Sequence, residues 1–184
     1  MELSELIREA KRGSPAAQKC LFDLLADRML MLCRRYVKSR EIAEEIMLDG
    51  FLNLFRALEA FHYEGEIAFF AWSKKIMINE CLMFLRKKNV FNLTTETSIE
   101  EIPLKEEIQS RLSALEIFSL IIQLPVGYRT VFNLYAIEGM SHQEIAELLS
   151  ISEGTSKSQL SKARLLLQKI LTQNGIEYVR RKTL

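Results

Sequence analysis

Apolar residues recur along this chain at intervals of three and four, the spacing that lines one face of a helix. Between Ala16 and Val37 the stripe is Leu21, Leu24, Leu25, Met29, Leu32 and Tyr36. Ser14-Pro15 stands before it as a start signal: a side chain that can cap, then a proline whose missing N–H costs nothing in a first turn. Ser39 can cap a second helix reaching about Leu58, with Ile42, Ile46, Phe51, Leu54, Phe55 and Leu58 on its stripe. A short connection with His62, Tyr63 and Gly65 leads to a third helix, about Ala68 to Lys88. No run alternates with period two, so strands are not expected. From Asn89 to Pro103 the texture changes to β-branched and polar residues without helical period, which reads as an exposed acidic linker or, alternatively, a loop within one domain. Helices resume at about Lys105 to Gln123, break at Leu124-Pro125, and continue from Val126 to Ile137. The pattern predicts an all-α fold of two small helical domains, 1–90 and 109–184, joined by a linker over 91–108.

The most specific segment is Glu138 to Leu171. Ser141-His142-Gln143-Glu144 can close a full capping box. Ile145, Leu148 and Leu149 then give one apolar face, with Ala146 small enough for a close helix crossing. Ser150-Ile151-Ser152 is a short turn, and Ser152 can cap the next helix. That helix carries Leu160, Ala163, Leu167 and Ile170 inward. Outward it shows Thr155, Ser158, Gln159 and Lys162, with Lys157 and Arg164 at the edges. Two capped helices across a tight turn form a helix-turn-helix, and such an outer face suits base edges and phosphates in a major groove. A bundle helix with a polar surface is the plainer reading.

Composition narrows the class. Seven glycines and three prolines in 184 residues are about half of average usage, roughly 12%, too few for the many turns of a β-sandwich or barrel. Three scattered cysteines, Cys20, Cys33 and Cys81, cannot build a disulfide framework, suit a reducing compartment, and read as small apolar fillers within helices. The first residues lack the apolar core of a secretory signal and no run is long enough to span a bilayer, so a cytoplasmic protein without membrane insertion is expected. The net charge of +1 hides blocks. Glu41, Glu44, Glu45 and Asp49 lie in a stretch without bases, Arg86-Lys87-Lys88 is wholly basic, and the chain from Glu153 onward is predominantly basic. A polyanion would meet specific faces rather than a generally basic protein.

These residues resemble a known family. Tyr128-Arg129, Glu138-Gly139-Met140-Ser141, Glu144-Ile145-Ala146, Glu153-Gly154-Thr155, Lys157-Ser158 and Ala163-Arg164 are similar to region 4 of the extracytoplasmic-function sigma factors. Arg40 to Phe61 and Phe69 to Lys88 resemble region 2, in the family's order and spacing. The resemblance implies an alternative sigma factor without catalytic residues, metal or cofactor. Its partners would be core RNA polymerase, through the β′ clamp helices and the β flap, and promoter DNA, with an anti-sigma factor as a further partner. Glu41, Ile42, Glu45, Ile46, Asp49 and Phe51 would meet polymerase. Phe69, Trp72, Lys74, Lys75, Asn79, Arg86, Lys87 and Lys88 would melt and hold the minus-ten element, since single-strand capture needs aromatic faces and bases. Thr155, Lys157, Ser158, Gln159, Lys162 and Arg164 would read the minus-thirty-five duplex. The sequence departs from the pattern at Leu48, where Gln is usual, at Ile67-Ala68, at Ser73 and at Met83; Leu48 weakens any polar contact to polymerase there.

Three other readings compete. An enzyme would have to use Cys20, Cys33, Cys81, His62 or His142, yet none lies in a nucleophile–base motif and no CxxC or HExxH spacing suggests metal; His142 is expected to be solvated. A stand-alone helix-turn-helix regulator would bind duplex DNA unaided, but leaves the aromatic-basic helix from Phe69 to Lys88 without a purpose. A sigma-like protein that no longer initiates transcription is raised by Leu48 and Met83.

Overall fold

The computed structural model describes residues 2–88 and 114–173, and every regular element among them is helical. The expected linker over 91–108, and the expected helix from Lys105 as far as residue 113, lie outside the described residues. The chain divides into two units, Met1–Asn89 and Val90–Leu184.

The first unit holds α1 (Leu3–Lys11), α2 (Pro15–Tyr36), α3 (Arg40–Leu58) and α4 (Glu66–Lys87). The start signals act as the sequence suggests: the Ser14 hydroxyl accepts from the Ala17 N–H and Pro15 opens α2, while the Ser39 hydroxyl accepts from the Ile42 N–H and opens α3. The first helix is not anticipated by the periodicity reading. It exists because Leu6, Ile7 and Ala10 bury against α2, worth about 1.5–3 kcal/mol for each large apolar side chain. Gly13 makes the reversal between α1 and α2 at φ +82, left-handed backbone that a side chain resists. The Lys11 ammonium donates to the Phe61 carbonyl and ties the α3–α4 connection to α1.

The core of this unit lies between α2, α3 and α4. Leu21, Leu25, Cys33, Tyr36, Leu54, Met77, Cys81 and Leu82 are fully covered. Gly50 lets α3 approach α4 closely, since a Cβ there would stand 2.3 Å from the Met77 sulfur. Two expectations fail here. Leu24 is exposed, because Leu21 and Leu25 take the inward positions of that turn. Cys20 is exposed as well, while Cys33 and Cys81 are the apolar fillers expected of all three.

The second unit holds α5 (Ala114–Ile121), α6 (Val126–Phe132), α7 (His142–Leu149) and α8 (Glu153–Gln173), with α8 packing on α5, α6 and α7. The helix expected to run unbroken to Ile137 changes at Asn133, where a π-helical turn covers Asn133–Ile137. It ends with the Glu138 N–H donating to the Asn133 carbonyl and the Met140 N–H to the Leu134 carbonyl. Arg129 is buried, and its guanidinium donates to the Ile122 carbonyl at 3.2 Å and the Leu124 carbonyl at 3.0 Å. These carbonyls follow the end of α5, where helix geometry leaves acceptors unmet. Burial lowers the guanidinium pKa to about 10, so it stays charged near neutrality and grips both oxygens.

Candidate nucleic-acid interface

The helix-turn-helix is built by its caps. The Ser141 hydroxyl accepts from the Glu144 N–H at 3.2 Å, and the Glu144 carboxylate accepts from the Ser141 N–H at 2.7 Å and its hydroxyl at 2.8 Å. Those bonds hold the Glu144 carboxyl below its ordinary value. At the other end, α7 stops on Ser150, a non-glycine residue in the left-handed region at φ 55, and the Ile151 N–H closes back on the Ala146 carbonyl. The Ser152 hydroxyl accepts from the Thr155 N–H and opens α8. Ile145, Leu149, Leu160, Ala163 and Ile170 lock the two helices together; Leu167, expected inward, is half-buried.

Outside α8, Thr155, Lys157, Ser158, Lys162 and Arg164 are exposed. Several are already engaged. The Thr155 hydroxyl bonds to Ser152, and Lys157 pairs with Glu153 at 3.0 Å. The Lys162 ammonium stands 6.0 Å from the Tyr128 ring centroid, and the Arg164 guanidinium 5.6 Å from that of Tyr135. An exposed pair such as Lys157–Glu153 is worth about 0.3–0.5 kcal/mol, little against a phosphate contact. Gln159 needs a correction: it is half-buried, with Oε1 covered and unbonded. In this rotamer the acceptor half of its amide does not face a base, and bidentate readout requires a turn about its side-chain torsions.

In the first unit, Trp72, Lys75, Asn79 and Arg86 fall on one outward stripe of α4, at helical spacing, with Lys87 and Lys88 exposed at its end. Met83, more than half exposed, interrupts the stripe between Asn79 and Arg86. Lys74 is half-buried beside it. Phe69 corrects the sequence reading: it is wholly buried, its ring 5.7 Å from Phe61 and 6.1 Å from Trp72 by centroid. A covered ring offers no face to a base. Trp72 is half-buried, lying against Phe61 at 4.4 Å and 30°, so one side of the indole is committed to that neighbour. Ser73, unusual for the family pattern, is buried and donates to the Phe69 carbonyl at 2.8 Å.

The expected polymerase face is also redistributed. Ile46 and Phe51 are buried, the latter 4.5 Å from Phe22 by ring centroid, and act as core. Glu41, Glu45 and Asp49 are exposed, and Ile42 is half-buried. Between the acids the surface shows Leu48, 51% exposed, and Leu52, 55% exposed. Leu52 is absent from the sequence reading; its position four residues after Leu48, off the inward stripe, is the signal that points to it. The Ser39 hydroxyl donates to the Glu41 carboxylate at 2.6 Å and lowers its pKa.

The profile of Sigma-70 region 2 matches residues 21–90, and that of Sigma-70 region 4 matches residues 114–167. The RNA polymerase sigma-H factor of Pseudomonas aeruginosa is 28% identical, over 91% of this chain and 92% of the relative. The ECF RNA polymerase sigma factor SigW of Bacillus subtilis is 27% identical, over 93% of this chain and 97% of the relative. The sigma factor RpoE of Bartonella quintana, solved with the anti-sigma factor NepR, has a similar fold: TM-score 0.50 and 21% identity, covering 84% of this chain and 96% of that one. The chain belongs to the extracytoplasmic-function subfamily of RNA polymerase sigma factors, which are transcription initiation factors. Among the described residues no group of potential metal ligands comes together, and no helix is long and apolar enough to cross a membrane.

Proposed function

We propose that this alternative sigma factor docks on core polymerase through the exposed stripe of α3: Glu41, Glu45, Leu48, Asp49 and Leu52. The stripe of α4 around Trp72, Lys75, Asn79 and Arg86, with Lys87 and Lys88, takes the opened minus-ten strand. The outer face of α8, with Thr155, Lys157, Ser158, Lys162 and Arg164, takes the minus-thirty-five duplex. Residues 1–90 and 109–184 serve as the two working domains, and 91–108 as the acidic linker that joins them and threads the polymerase channels. The protein contributes no chemistry of its own and works in the cytoplasm. An anti-sigma factor is a further partner, as it is for the Bartonella quintana relative.

One observation carries this reading: residues matched by the two sigma regions fold as separate helical units, each showing a basic, hydrogen-bonding helix face outward. The nearly neutral chain divides its bases between them, so the free protein neutralises few phosphates and binds DNA weakly. Run-off transcription with purified core polymerase and a promoter library tests it. Promoter-selective transcripts that require both components are expected. Tight, specific DNA binding by the free chain would replace this reading with a stand-alone regulator.

A further inference from the structure

His142 is not a solvated surface residue. It is the first residue of α7, and its Nδ1 stands 2.9 Å from the hydroxyl of Ser156 on α8. Ser156 is wholly buried, between the exposed Thr155 and Lys157. On its ring face, His142 stacks on Tyr135 of the π-helical turn, with centroids 4.5 Å apart and planes at 22°. Two turns further along α8, the Arg164 guanidinium reaches the same Tyr135 ring. The π turn, the start of α7 and the start of α8 therefore meet at one imidazole.

From this junction we infer that His142 and Ser156 are a positioning pair, which fixes the rotation of α8 about its axis and so decides which of its outer side chains face base edges. The inference rests on reading α8 as the helix that enters the major groove. The physical ground is leverage. A buried hydroxyl has no water to turn to, so losing His142 as its partner on α7 leaves it unsatisfied. Ser156 sits at the first turn of α8, where the apolar contacts of Leu160 and Ala163 have not begun. A small rotation there moves Thr155, Ser158 and Gln159 together, because their side chains share the backbone that carries Ser156. Hydrogen-bonded readout tolerates little displacement, since bonds weaken steeply with angle and distance.

Four variants test the pair in run-off transcription from a library randomised across the upstream element, alongside thermal melting of the free chain: His142→Ala, Ser156→Ala, the double variant, and His142→Asn. Each alanine variant is expected to reduce discrimination between the best and second-best upstream elements by about three- to tenfold, the reach of one hydrogen bond. The double variant is expected to lose no more than either single, because both break one bond. His142→Asn, whose amide nitrogen can stand near the Nδ1 position, is expected to recover at least half of the lost discrimination. Ser156→Ala removes one oxygen and keeps the test open where the histidine variants fold poorly. Lower melting temperature with unchanged discrimination would overturn the inference and leave the pair as packing. Additive losses in the double variant would also overturn it. If Lys157→Ala and Ser158→Ala are silent as well, the reading of α8 as the DNA-facing helix fails first and the inference with it.

Discussion

Phe69 and Trp72 lie one turn apart on α4, and burial assigns them different work. Phe69 contributes only to folding, whereas Trp72 divides its surface between Phe61 and the outside. Phe69→Ala is expected to cost the first unit about 3–5 kcal/mol of stability, and open-complex formation should fall only in step with folded protein. Lys75→Ala should leave thermal melting unchanged and lower strand opening, seen by permanganate footprinting with the holoenzyme. Equal opening in Lys75→Ala and the parent would remove that residue from the interface. On α8 the comparable contrast is between Gln159 and Lys157. Gln159→Ala should relax preference at one base pair by about 1–3 kcal/mol if its amide turns outward on binding; unchanged preference would show that it stays in the covered rotamer seen here. Lys157→Ala should weaken binding on every sequence alike and flatten the salt dependence by about 0.9 in the log–log slope.

At the scale of elements, the caps decide where helices start and stop, and they make the helix-turn-helix sensitive to acid. The Glu144 carboxyl is held down by the Ser141 N–H and hydroxyl. Its unfolded counterpart titrates near the ordinary glutamate value, about 4.3, so folding favours the ionised form. That stabilisation is complete above the ordinary value and is lost as pH falls through the folded one. Melting temperatures of the parent and of Glu144→Gln, followed from pH 7 downward, should differ at neutrality and converge in acid; a constant gap would show that the capping box does not titrate with folding. The other end of α7 is a place to gain stability. Ser150 holds left-handed backbone at φ 55, which costs an L-residue roughly 1–2 kcal/mol. Ser150→Gly removes that strain at the position where glycine is favoured after a helix. Denaturant melts should show the second unit stabilised by about 1 kcal/mol, less whatever the freer unfolded chain takes back.

For the whole molecule, apolar periodicity alone places α4, and periodicity with capping residues places α2, α3, α7 and α8, because Ser14, Ser39, Ser141 and Ser152 sit where backbone N–H groups need acceptors. The first helix escapes periodicity because its nine residues are too short to show a sustained stripe and its start has no side-chain cap; packing on α2 makes it fold. The π turn at Asn133 is not legible, because nothing in the apolar spacing of Val126 to Ile137 distinguishes hydrogen bonds spanning five residues from those spanning four. The outer face of α8 was legible from polarity. The stripe of α3 was not, since Ile46, Leu48, Phe51 and Leu52 are all apolar and only the turn of the helix separates core from surface. Ser156 was legible in hindsight by its register with Leu160, Ala163 and Ile170, while its link to His142 needs the fold.

The Leu48–Leu52 stripe has a consequence for how this protein meets changes in ionic strength. Apolar burial is indifferent to salt screening, whereas phosphate contacts weaken steeply with it. If α3 docks as proposed, leucine at position 48, where the family pattern has glutamine, would shift attachment to polymerase toward the screening-resistant kind. As salt rises, the complex with polymerase should persist beyond the point at which promoter DNA is released, so high ionic strength would hold this factor assembled but silent. Core-binding and promoter-binding midpoints measured across one salt titration should therefore separate. Leu48→Gln should bring them together by lowering the first, and midpoints that coincide in the parent would show that the acids of α3 dominate docking.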